Sequence, residues 1–216
     1  LVFDNSSGYA STGTYKIYFT KAPGSGDGGE LALDVPVDGT VDLGDLDSYT
    51  MTLAAGAGAQ LRVVDVAQTA FAPYLAVYGP SGALVDSNWN YDVAGLAFNA
   101  SVAGVYTAVV FDNSSGHASA GSYKLYYSRA PGSNEAGALA VGTSVDGTIE
   151  RGDLDSFTFT ANAGDKPTVT VTDVNATAFT PRVVIYNPAG TIVANVNNLN
   201  VAAPTFTAAV TGTYTV

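Results

Sequence analysis

Apolar and polar side chains alternate with a period of two along most of this chain, in short runs broken by glycine, proline, asparagine and aspartate. Tyr49, Met51 and Leu53 alternate with Ser48, Thr50 and Thr52, and Tyr15, Ile17 and Phe19 share one face of the run 14–20. A period of two places successive side chains on opposite faces of a strand, so each run predicts a strand with one buried face. Between two glycine-rich stretches, eight candidate strands centre on 39–43, 48–53, 60–66, 73–78, 83–86, 96–100, 106–111 and 122–127. Strand signals at intervals of about ten residues, with turn residues between them, predict a two-layer β-sandwich and almost no helix. Gly79-Pro80-Ser81-Gly82 reads as a hairpin turn, with proline setting the first corner and glycine available for positive φ.

The pattern then repeats. Val2-Phe3-Asp4-Asn5-Ser6-Ser7-Gly8 returns as Val110-Phe111-Asp112-Asn113-Ser114-Ser115-Gly116, 108 residues later, and the register holds without a gap. Asp45 falls on Asp153, Phe71 on Phe179, Pro80 on Pro188, Gly104 on Gly212 and Tyr106 on Tyr214. A period of this length is too long for a solenoid turn and suits a small domain, so duplication of one module is expected. The expected organisation is a terminal hairpin over 1–21, a linker over 22–30 and a complete sandwich over 31–131. A second linker over 132–138 and a second sandwich over 139–216 follow, the latter without its last hairpin. The matching hairpin is the sequence 1–20, at the other end of the chain. Because both ends fall inside strand-like runs, the chain is expected to be a piece of something longer.

Four motifs recur in order in each copy. The first copy reads Gly39-Thr40-Val41, Gly44-Asp45-Leu46-Asp47-Ser48-Tyr49, Tyr74-Leu75-Ala76-Val77-Tyr78-Gly79-Pro80-Ser81-Gly82 and Ala103-Gly104-Val105-Tyr106. The second reads Gly147-Thr148-Ile149, Gly152-Asp153-Leu154-Asp155-Ser156-Phe157, Val184-Ile185-Tyr186-Asn187-Pro188-Ala189-Gly190 and Thr211-Gly212-Thr213-Tyr214. In this order and spacing the chain resembles the bacterial pre-peptidase C-terminal domain over nearly the whole repeat. The resemblance implies tandem jelly-roll-like β-sandwiches of an all-β class, in secreted proteins, either as a non-catalytic appendage of a peptidase or as repeated modules of a long surface protein. It also implies that calcium or a polymeric substrate can be a ligand.

Composition narrows the partners. Eight basic against nineteen acidic side chains give a formal charge of -11 and a sequence pI near 4.1. That balance opposes nucleic acid and anionic membrane surfaces. No apolar run reaches the roughly 20 residues that span a bilayer, so membrane insertion is not expected of this segment. The absence of cysteine removes disulfides, thiolate metal sites and cysteine nucleophiles. His117 is the single histidine; no Ser-His-Asp spacing recurs around it, so a catalytic triad is not expected, and one histidine without cysteine does not build a zinc site of the usual kind. No enzyme is expected.

Three sets of residues carry candidate chemistry. Asp38, Asp42, Asp45 and Asp47, repeated as Asp146, Glu150, Asp153 and Asp155, form acidic turns able to offer oxygens to calcium. The alternative is structural, with Asp45 and Asp47 bonding nearby amides and Asp38 and Asp42 solvated. Trp89 and Tyr91 form an aromatic loop that could stack on a sugar ring, or simply lid the sandwich. Val2, Phe3, Tyr15, Ile17 and Phe19 are the apolar positions of a strand-donor surface. The expected role is a non-catalytic extracellular or cell-surface module of a fibre, stalk or adhesin, joined to copies of itself head to tail by strand complementation. The alternative is a calcium-dependent appendage of a secreted hydrolase that binds a polysaccharide or protein polymer.

Overall fold

A computed structural model describes every residue from Leu1 to Val216 except Ser25, which falls in the first expected linker and lies outside the described residues. Its regular secondary structure is almost entirely strand. The first half contains β1 (Gly29–Glu30), β2 (Val37–Val41), β3 (Leu46–Leu53), β4 (Gly58–Asp65), β5 (Pro73–Tyr78), β6 (Leu84–Trp89), β7 (Val93–Asn99), β8 (Gly104–Asp112) and β9 (Gly121–Ala130). Strands β2 to β9 fall on the eight candidate strands, in order.

These strands form two sheets, β1-β3-β8-β5-β6 and β2-β9-β4-β7. All pairings within them are antiparallel except β1 with β3, which is parallel. The alternation decides which side chains meet between the layers. Tyr49, Met51, Leu75, Val77, Tyr106 and Val110 come from one sheet, and Val41, Leu61, Val63, Tyr123, Leu125 and Tyr127 from the other, in one buried cluster. At the β5–β6 turn, Gly79 N donates to Ala83 O at 2.9 Å and Gly82 takes φ +80°. Gly104 opens β8 at φ +152°, and a Cβ there would stand 2.6 Å from Pro80 Cγ, so only glycine fits beneath that turn.

The second half holds β10 (Thr158–Ala161), β11 (Val171–Thr172), β12 (Arg182–Tyr186), β13 (Ile192–Asn197), β14 (Val201–Ala202) and β15 (Gly212–Thr215). They form a sheet β10-β15-β12-β13 and a small pair β11-β14. A smaller core gathers Ala161, Val183, Ile185, Ala202, Ala208 and Tyr214, with Phe159 and Phe206 packed against it.

Two expected strands do not form, and each lacks the neighbour that its counterpart pairs with in the first half. Residues 14–20 alternate as a strand should, yet they carry no strand, and the segment is largely exposed. Their sequence counterparts lie in β9, which is hydrogen-bonded on one side to β2 and on the other to β4. In the second half, residues 145–149 correspond to β2 and form no strand, and β11 retains two residues where β4 has eight. A strand exists through its ladder, so an alternating sequence without a neighbour stays irregular.

Candidate functional site: an open sandwich and the segment that matches it

The N-terminal segment is apolar where it is least covered. Tyr15, Ile17 and Phe19 are 69%, 76% and 89% exposed, whereas Tyr123, Leu125 and Tyr127, their counterparts 108 residues on, are 1%, 0% and 5% exposed. Val2 and Phe3 are likewise exposed, while Val110 is fully buried and Phe111 half-buried. All five donor-surface positions are therefore uncovered on one stretch of chain.

Its turn is already shaped. Asp4 accepts from Ser6 N at 2.9 Å, Ser6 Oγ at 2.7 Å and Ser11 N at 2.8 Å. Asp112 accepts from Ser114 N at 3.0 Å, from Ser114 Oγ and from Ser119 N at 2.9 Å. Gly8 and Tyr9 have φ of 76° and 52°, and Gly116 and His117 have 73° and 50°. The same sequence closes the same loop whether or not a sheet surrounds it, because an aspartate two residues before the turn satisfies its amides locally.

A cleft of about 400 Å³ opens in the second half, lined in part by Ile149, Leu154, Phe157, Val171, Phe179 and Val183. Five of these correspond to Val41, Tyr49, Val63, Phe71 and Leu75, which are all buried in the first core. The other wall belongs to the outer face of β4, where Gln60 and Arg62 stand. Arg62 Nη1 donates to Asp153 O at 3.0 Å, Gln60 Nε2 donates to Tyr186 Oη, and Arg151 Nη2 lies 2.8 Å from Asp92 Oδ1. The two halves thus meet through polar contacts. At the corresponding positions of the other copy stand Thr168, Thr170, Leu43 and Asn200 instead of Gln60, Arg62, Arg151 and Asp92.

The eight acidic residues do not gather as two groups of four. Asp45 Oδ1 and Asp153 Oδ1 accept from the next amide, Leu46 N at 2.9 Å and Leu154 N at 2.8 Å. Asp42 lies 3.7 Å from Lys16 Nζ and Glu150 3.3 Å from Lys124 Nζ, while Asp38 and Asp146 are exposed. Asp47 Oδ2 accepts from the Tyr123 hydroxyl at 2.6 Å. Burial first, with Asp45, Asp27 and Asp42 adding repulsion, pushes the Asp47 carboxyl above its usual range, and the tyrosine hydrogen bond opposes this.

Asp153 and Asp155 do come together, but with Glu135, the three offering oxygens within 4.8 Å of one another. Burial, then the neighbouring carboxylates, raises the pKa of Glu135 and Asp155. Glu135 was not among the candidates. Its counterpart Asp27, also in a linker, accepts from Ser48 N at 2.6 Å and Ser48 Oγ at 2.9 Å. An acidic residue in both linkers at equivalent positions was the available signal.

Trp89 and Tyr91 meet edge to face, ring centres 5.5 Å apart, at the β6 edge. Trp89 is opposite Tyr74 in the ladder, and Tyr74 stacks on Phe111 at 4.4 Å. The loop is thereby the end of an aromatic row across the outer face of one sheet. His117 closes the row, 6.3 Å from Phe111, with Nδ1 hydrogen-bonded to Asp112 O at 2.7 Å. Among the described residues no helix is long and apolar enough to cross a membrane.

Neither a family model nor a curated protein matches the chain. Solved structures similar to parts of it include the pre-peptidase C-terminal domain of a collagenase from Bacillus anthracis, 18% identical, with 45% of this chain and 91% of that one covered at a TM-score of 0.38. A β-glucuronidase from Bacteroides uniformis is 15% identical, with 79% of this chain and 21% of that one covered at a TM-score of 0.26.

Proposed function

We propose that the chain is a non-catalytic structural module of an extracellular or cell-surface fibre, stalk or adhesin, and that its second sandwich is completed by a hairpin of the sequence 1–21. The observation that carries this reading is the match between Tyr15, Ile17 and Phe19, exposed, and their counterparts Tyr123, Leu125 and Tyr127, buried in β9. The hairpin comes from another molecule of this chain or, in a longer array, from the next repeat. Strand addition suits the task, because main-chain ladders provide adhesion and alternate side chains provide specificity. The first sandwich already contains its own β8 and β9, so the open one is the acceptor. One donor and one acceptor at different surfaces make a heterologous contact, which propagates head to tail.

Light scattering of the full chain over a range of concentrations tests this. Concentration-dependent assembly is expected, and Ile17→Asp, at a position 76% exposed in the single molecule, abolishes it without changing the thermal melt of the first sandwich. A monomer at all concentrations, or assembly indifferent to Ile17→Asp, contradicts the proposal.

A second reading is favoured by the Glu135, Asp153 and Asp155 carboxylates within 4.8 Å. A calcium ion held there would make the module a calcium-dependent appendage that attaches a secreted hydrolase to a polysaccharide or protein polymer. Under this reading calcium raises the melting temperature and a chelator lowers it; an unchanged melt removes it.

A further inference from the structure

The geometry points to Asp155 as the latch that receives the tyrosine hydroxyl of the completing hairpin, Tyr15 in the copy that this chain carries, and so sets the register of that hairpin. This rests on the hairpin-completion reading above and adds the residue pair that selects its alignment.

In the first sandwich the Tyr123 ring lies between Gly39 and Asp47. A Cβ on Gly39 would stand 2.3 Å from Tyr123 Cζ, and the hydroxyl beyond donates to Asp47 Oδ2 at 2.6 Å and lies 2.7 Å from the Tyr49 hydroxyl. In the second half, Gly147 stands where Gly39 does and Asp155 where Asp47 does. Among the described residues, and apart from its chain neighbours, the one heavy atom within 4 Å of a Cβ built on Gly147 is Asp155 Oδ2, at 3.4 Å. The glycine and the acceptor face each other, and the tyrosine that separates them in the first sandwich has Tyr15 as its counterpart. Phe157 replaces Tyr49, so the captured hydroxyl has Asp155 as its acceptor.

The β9 ladders, moved by one repeat, give the remaining pairs. Tyr123 opposite Gly39 and Leu125 opposite Val37 become Tyr15 opposite Gly147 and Ile17 opposite Val145. Tyr127 opposite Leu61 and Leu125 opposite Val63 become Phe19 opposite Val169 and Ile17 opposite Val171. A slip of one residue turns the apolar face outward. A slip of two keeps that face inward but brings Gly13 or Ile17 to Asp155, and neither side chain has a hydroxyl. Asp155 therefore separates the alignments that hydrophobicity alone leaves nearly equivalent. The hairpin also arrives with its turn formed, which lowers the ordering cost of capture. Lys16 beside Asp42 repeats Lys124 beside Glu150, so the molecule carrying the captured hairpin meets its acceptor much as the two halves of one molecule meet.

The test compares assembly constants from light scattering for the full chain, Tyr15→Phe, Asp155→Ala and the two combined. Loss of a hydrogen bond to a charged group is expected to weaken assembly about tenfold or more in each single variant. The double variant is expected to be no weaker than the weaker single one. Tyr15 is exposed in the free molecule, so Tyr15→Phe leaves the fold intact, and an unchanged melt confirms this for Asp155→Ala. Assembly that Ile17→Asp abolishes but that both single variants leave at full strength overturns the latch while hairpin capture stands. Additive losses in the double variant overturn the pairing. A wild-type chain that stays monomeric overturns the capture itself, and the latch with it.

Discussion

Tyr123→Phe removes one oxygen from the first core and nothing else. The side chain is 1% exposed, and its hydroxyl bridges Asp47 Oδ2 at 2.6 Å and the Tyr49 hydroxyl at 2.7 Å. The ring packing survives, so the loss is that of a hydrogen bond to a carboxylate, about 1.5–3 kcal/mol, with Tyr49 left to reorganise. Urea unfolding followed by Trp89 fluorescence reads the first sandwich alone, because the only tryptophan lies there. The pH dependence supplies a second readout. A folded-state pKa above the unfolded one means that the folded protein takes up its proton first, so stability rises as pH falls through the folded value towards the unfolded one. Burial already gives Asp47 that sign, and the Tyr123 hydroxyl works against it. Tyr123→Phe is therefore expected to enlarge the gain in stability between neutral and mildly acidic pH, and Asp47→Asn to abolish it. A loss below about 0.5 kcal/mol, within the range of a neutral surface change, together with an unaltered pH profile, would refute the argument.

Two further outcomes follow from the same sandwich. Gly104→Ala puts a Cβ 2.6 Å from Pro80 Cγ at φ +152° and is expected to destabilise the first sandwich by about 2 kcal/mol or more in the same unfolding assay. Asp112→Ala leaves Ala72 N, Ser114 N and Ser119 N without their acceptor and is expected to cost about 3 kcal/mol at neutral pH. Burial raises the Asp112 pKa, but its hydrogen bonds outweigh this and hold it low. Its contribution is thus present above the ordinary carboxylate value and lost as pH falls below it, so the difference from wild type narrows in acid.

Local pattern carried the strands and long-range pairing did not. The alternation of Ser48 to Leu53 and the proline-glycine turn at 79–82 act over a few residues, and β2 to β9 formed where they pointed. The run 14–20 has the same alternation and formed no strand, because period two describes a face and not the neighbour that must hydrogen-bond beside it. The two-residue parallel strand Gly29–Glu30 was hidden in a stretch whose glycines read as linker. Carboxylate positions were legible and their company was not. Asp47 found Tyr123, 76 residues away, and Asp153 and Asp155 found Glu135. The contacts of Arg62 and Arg151 between the halves could not be read from the repeat, since both residues are peculiar to their own copy.

The central claim, that the segment 1–21 completes the second sandwich in a defined register, is tested most directly by cysteine pairing in a chain that has no cysteine of its own. Thr40 Oγ1 and Ser122 Oγ lie 3.5 Å apart across β2 and β9, and one repeat away the same pair is Thr148 and Thr14. Thr40→Cys with Ser122→Cys in one molecule serves as the positive control. Mixing Thr14→Cys with Thr148→Cys under mild oxidation is expected to yield a disulfide-linked pair of the two different variants, with no such product when Ile17→Asp is added to the Thr14→Cys chain. Closure of the control without any cross-link in the mixture would contradict the account.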